Sequence, residues 1–302
     1  MVTVRQQMQV VCQGTMVNQS ELVKLWNRFF KGDKLTAEVD AHLKHRVQIL
    51  RDLAVVKKDS RFSGIADNLA RFGQYYSPES DSIEKRIQRT IDNYVIGRKI
   101  EAQHILGNID GRFVVSMEPH FPINKQESMW TLMLGDVSKK GNSVIARVGL
   151  NFHNENNQVV MSVPVIQGSP EGKEILDEFR RRIKKPWPVF MMKIVHSIAL
   201  NNGIQKVRGI PELEQPFFKK PEFKSGKRVG KGGYSLYAKT FDIMGYSPPD
   251  KRRSYYEIDS TAIKLRPSTQ INLLKAFGRP LDHPIMPRVK KGNTIRHSKK
   301  PK

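Results

Sequence analysis

The chain has 302 residues, 38% of them hydrophobic, enough for a sizeable core, and its 52 Lys and Arg against 29 Asp and Glu leave a formal charge of +23 and a pI near 10.1. That balance points to anionic partners, whether membrane lipid, nucleic acid or an acidic protein. A single cysteine, Cys12, excludes an intramolecular disulfide and a cysteine-rich zinc site.

The first nineteen positions carry one early basic residue, Arg5, and are interrupted by Gln6, Gln7, Gln9 and Gln13, so no apolar run suits a secretory leader. No later window approaches the ~20 apolar residues of a membrane-spanning helix. The expectation is a cytoplasmic protein, able to lie peripherally on the inner membrane.

Residues 1–109 read as a helical region packed on the core. Leu22, Leu25, Trp26, Phe29 and Phe30 form an amphipathic face after Ser20, and Leu43, Val47, Leu50, Leu53 and Ala54 continue at helical spacing. His42 and His45, three apart, are either ordinary helix histidines or two ligands with no third nearby. Ser60 to Tyr76 is mixed and basic. From Ser82 to Ala102 the pattern is helical again, with Ile83, Ile87, Ile91, Tyr94 and Val95 facing inward and Lys85, Arg86, Arg89, Arg98 and Lys99 outward.

From Asp110 the period changes to two. Phe113–Met117, Met129–Leu134, Val144–Phe152 and Val159–Ile166 are strand candidates separated by turn clusters such as Asn154-Glu155-Asn156-Asn157. Connections this short require an antiparallel meander. Pro164 cannot donate to a ladder and demands an edge or a bulge. Ser169, Pro170 and Glu171 carry helix-start chemistry, with the Ser169 hydroxyl as cap. Ile175, Leu176, Phe179 and Ile183 share one face of the helix that follows, away from Arg180, Arg181, Lys184 and Lys185. After the Pro186-Trp187-Pro188 break a second helix turns Met191, Ile194, Val195 and Ile198 inward and stops at Gly203, and Ile204–Ile210 is a returning strand.

Beyond Pro211 a basic, glycine-rich loop spans 215–234, followed by a short helix near Leu236–Met244 and a strand at Tyr255–Ile258. The expected organisation is α+β: a core domain over 110–277 in which helices cover an antiparallel meander, then a basic disordered tail over 278–302.

The order of landmarks across roughly residues 50–260 resembles the bacterial VirK/YbjX family, a domain of unknown function. The landmarks are Tyr75-Tyr76, Glu84-Lys85-Arg86, Tyr94, Val115 to Pro119, the strand ending in Gln167-Gly168, the basic joint Arg182–Pro188, the apolar helix Val189–Leu200, the short strand Ile204–Ile210, Phe241-Asp242 and Tyr255–Ile258. The joint departs from the family's His-Gly-x-Arg-Pro-Lys-like run, keeping its basic character and Pro188. The resemblance implies an accessory role at the cell envelope, including virulence, surface-protein localisation and resistance to antimicrobial peptides; it implies no chemistry.

No catalytic signature is present: there is no Gly-x-Ser-x-Gly elbow, Walker A pattern or dinucleotide fingerprint. The best anion site is the strand-to-helix loop, with Gln167, Gly168, Ser169, Gly172 and Lys173, where backbone amides meet a positive helix end. Its outline is similar to the N-acetyltransferase (GNAT-like) superfamily, whose equivalent loop holds the pyrophosphate of acyl-CoA; here Pro170 stands where the pattern has glycine. Ordinary helix capping explains the same residues. A second candidate is the basic loop, where Lys219, Lys220, Lys224, Lys227, Arg228 and Lys231 interleave with aromatic residues, suiting phosphates of lipid or nucleic acid. Three functions therefore stand open: a VirK/YbjX-like accessory protein acting through a basic surface, a GNAT-like acyltransferase using acyl-CoA, and a charge-driven nucleic-acid binder.

Overall fold

A computed structural model describes residues 19–30, 41–72, 82–101, 106–109, 112–119, 128–138, 143–169, 172–211, 236–250 and 253–263. The basic loop with Lys219, Lys220, Lys224, Lys227, Arg228 and Lys231, and the tail from 278, lie outside these residues. Among the described residues four helices come first: α1 (Gln19–Phe29), α2 (Ala41–Lys58), α3 (Ser63–Phe72) and α4 (Ile83–Glu101). A seven-stranded sheet follows, with strands in sequence order: β1 (Leu106–Ile109), β2 (Phe113–Pro119), β3 (Trp130–Asp136), β4 (Ser143–Glu155), β5 (Gln158–Gly168), β6 (Lys206–Gly209) and β7 (Tyr256–Asp259). Helices α5 (Lys173–Ile183) and α6 (Trp187–Asn201) connect β5 to β6, and α7 (Leu236–Ile243) precedes β7. The class is α+β.

Strands β1 to β5 form the expected meander, each antiparallel to the next. The β4–β5 turn places Asn156 and Asn157 at φ 50° and 61°, the left-handed pair that a two-residue hairpin needs and that asparagine tolerates. The returning strand departs from expectation. β6 runs parallel to β5, with Val160, Met161, Ser162 and Val163 opposite Lys206, Val207, Arg208 and Gly209. The α5–α6 crossover is long enough to carry the chain back to the same end of the sheet, which a tight turn cannot do.

Three further differences concern helices. Residues 106–109, assigned to the helical region, form an edge strand. The stretch from Ser60 contains α3, whose Ile65, Ala66, Leu69 and Ala70 are buried; the intervening polar residues hide this short apolar stripe. Along α4, Ile83 and Val95 are exposed while Arg89, Asn93 and Gly97 are buried. The helix is rotated from its apolar reading because Asn93 and Gly97 fit β3 and β4 more closely than a branched side chain could.

One apolar cluster runs from Leu22 in α1 through the sheet to Ile263, so α1 to α4 and the sheet share a core. On α5, Ile175, Leu176 and Phe179 are buried, with Phe179 edge-on to Phe113 and Phe190 at 5.1 and 5.2 Å between ring centroids. On α6, Met191, Ile194, Val195 and Ile198 face inward as their spacing indicates. Gly203, at φ 62°, takes the left-handed position just beyond that helix.

Candidate functional site: the end of strand 5

Pro164 places an irregularity in β5. Gly149 pairs with Val165 while Asn151 pairs with Ser162, so two steps along β4 are matched by three along β5, and the extra residue falls at Val163-Pro164. A bulge at this proline is one of the two outcomes its chemistry allows.

The bulge coincides with the end of the parallel ladder. Gln205 N–H donates to the Val159 carbonyl and Ile210 N–H to the Val163 carbonyl, both at 3.1 Å. There β6 stops, while β5 continues to Gly168. Ser169 N–H donates to the Ile145 carbonyl of β4 at 2.8 Å. Successive amides alternate between the two edges of a strand, so Val165 and Gln167 also turn toward β4, and Ile166 and Gly168 turn toward the opposite edge, beyond the end of β6. A buried backbone amide needs a partner. Ile166 N–H finds it in the Tyr237 hydroxyl of α7, at 2.9 Å, and Tyr237 is itself buried.

The junction that leads into α5 holds all five residues of the first sequence candidate. Gln167 is exposed and its side-chain oxygen accepts from the Arg147 guanidinium of β4. Gly168 lies under Leu176 and Trp187: a Cβ there would come within 3.1 Å of Leu176 Cδ1 and 3.3 Å of Trp187 Cζ2. Ser169 is not the helix cap. The N-cap is Gly172, whose N–H donates to the Ser169 carbonyl at 3.0 Å, and no side chain caps the helix. Two of the loop amides are thus already engaged. Among the described residues the first turn of α5, which begins at the exposed Lys173, still offers donors to an anion. At the other end of that helix Arg180, Arg181 and Lys184 are exposed, and Arg182 pairs with Glu178 at 2.9 Å.

A polar row was not foreseen in the sequence. Asn151, Ser162, Arg208 and Glu257 lie directly opposite one another across β4, β5, β6 and β7. The row next to it, Phe152, Met161, Val207 and Ile258, is apolar and buried. Arg208 donates to Glu257 at 2.8 Å and to Glu155 at 2.5 Å, beneath the Tyr255 ring at 4.5 Å. The His153 ring and the Arg208 guanidinium bring the Glu155 carboxyl down to about 2. Burial holds His153 itself below its usual range. The alternation of Asn151, His153 and Glu155 in β4 was the available signal, but the partners on β6 and β7 are far away in sequence.

No cluster of three or more His, Cys, Asp or Glu side chains able to hold a metal occurs among the described residues. Comparison with known protein families and with curated proteins finds no match.

Proposed function

We propose that the chain is an acyl-CoA-binding protein of GNAT-like geometry that acts as an acyltransferase. The observation that carries this reading is that β6 ends at Gly209, opposite Val163, while β5 runs on to Gly168, so that among the described residues no strand pairs with that edge of the last part of β5. A pantetheine arm, with two amides, can pair along such an edge as an added strand would. Its pyrophosphate then meets the first turn of α5 and Lys173, where amide donors, helix dipole and side-chain charge act together. In the reaction an acceptor nucleophile attacks the thioester carbonyl and the CoA thiol leaves. Titration calorimetry with acetyl-CoA tests the reading, and absence of heat removes it.

A second reading follows the VirK/YbjX resemblance: a cytoplasmic accessory protein of the cell envelope that docks through cationic surface. Supporting it are the exposed Arg180, Arg181 and Lys184 at the joint between α5 and α6. Among the described residues no helix is long and apolar enough to cross a membrane, so docking would be peripheral. Flotation with phosphatidylglycerol vesicles is expected to carry the protein upward, and to do so less when Arg180 and Arg181 are both changed to Glu. Equal flotation with neutral vesicles would count against it.

A further inference from the structure

We infer that Tyr237 is a displaceable plug on the last part of β5, beyond the end of β6: its hydroxyl occupies the backbone amide of Ile166, which a strand-like ligand takes over when it binds. This inference rests on the acyl-CoA reading above and adds the identity of the group with which the ligand competes.

Three observations lead to it. Ile166 N–H is turned to the edge away from β4, beyond the end of β6, as the Ser169 to Ile145 hydrogen bond fixes through strand alternation. Within the sheet such an amide normally meets a carbonyl of the neighbouring strand; here it meets a side-chain hydroxyl, at 2.9 Å. Finally, that hydroxyl belongs to a short helix near its first turn, since α7 begins at Leu236. A side chain can rotate away while the helix stays in place, whereas a strand cannot be removed without dismantling the ladder.

A carbonyl of the pantetheine arm is a stronger acceptor for an amide than a phenol oxygen and continues the strand pattern. Binding therefore exchanges one hydrogen bond of Ile166 for another, and the Tyr237 interaction opposes it. Removing the hydroxyl removes the competitor, so a variant that has lost a contact binds more tightly. A purely structural Tyr237 gives the opposite sign, because its loss loosens the site.

The test is calorimetric titration of acetyl-CoA into the full chain and into Tyr237→Phe, which keeps the ring and loses only the hydroxyl. The expected result is binding about three- to tenfold tighter in Tyr237→Phe, the scale of one net hydrogen bond. Binding that is equal or weaker in the variant overturns the plug and leaves the acyl-CoA reading standing. Binding by neither protein removes both. If Tyr237→Phe does not fold, the aromatic-ring NMR signals of Tyr237 in the wild-type decide: acetyl-CoA should shift them as the hydroxyl leaves Ile166, and ring signals unchanged by saturating acetyl-CoA overturn the plug.

Discussion

Asn93 of α4 and Asn151 of β4, 58 residues apart, are joined side chain to side chain by a 2.7 Å hydrogen bond inside the core. Asn151 Oδ1 also accepts from Met129 N–H at 2.7 Å, and Asn93 Oδ1 accepts from Phe152 N–H at 3.0 Å. The pair thus satisfies backbone where β4 approaches its irregular register. Changing Asn151 to Leu leaves two buried donors, Met129 N–H and Asn93 Nδ2, without that acceptor. A loss of about 2 to 4 kcal/mol in urea denaturation is expected. A loss below about 0.5 kcal/mol would mean the network is not a structural tie.

The neighbouring turn of α4 makes a steric prediction. A Cβ on Gly97 would fall 2.0 Å from Trp130 Nε1, and that indole is fixed by donating to the Asn93 carbonyl at 3.0 Å. Gly97→Ala should cost about 2 to 3 kcal/mol despite alanine's better helix propensity. Gly64 in α3 has no atom within 4 Å of its would-be Cβ, so Gly64→Ala should stabilise by about 0.5 kcal/mol. Thermal melts of the two variants should therefore move in opposite directions.

Stability should fall with acidification in two separate windows. Burial, with Lys193 nearby, lowers His196 from 6.5 to about 4, and its ring nitrogen bonds the Tyr246 hydroxyl at 2.9 Å. The unfolded chain binds the proton first, so this part of the stability is complete above about pH 6.5 and is lost as pH falls toward 4. Buried His153 shifts in the same direction, so His196→Gln should reduce the slope there without abolishing it. The second window belongs to Asp136. Burial raises its carboxyl, but Arg112 and Ser138 outweigh that and bring it from 3.8 to about 2. Its contribution is present above about pH 4 and disappears as pH falls to 2, together with that of Glu155. Denaturant midpoints across pH 7 to 2 check both windows, and Asp136→Asn should reduce the slope only in the lower one, where Glu155 still titrates.

The parts of this fold governed by local chemistry were legible. Alternation placed β2 to β5, the asparagine pair announced the β4–β5 hairpin, Pro164 announced its bulge, and the buried stripes of α5 and α6 matched their spacing. What escaped depends on partners distant in sequence. The direction of β6 follows from the crossover, not from its own residues, and the rotation of α4 follows from Asn151 and Trp130 rather than from its apolar positions. Of the candidate site, the Gln167-Gly168 loop was located but its capping was misread. Nothing local marked Tyr237, because its partner is an amide 71 residues away.

The most direct measurement is titration calorimetry of acetyl-CoA into the full chain, with Lys173→Glu in parallel. Lys173 is exposed at the start of α5, so its reversal should leave the fold intact. A saturable heat with one site per chain is expected, weakened about three- to tenfold in Lys173→Glu as a charge at a helix N-terminus is inverted. No heat with the wild-type, or identical binding in both proteins, would contradict an acyl-CoA seated between β5 and the start of α5.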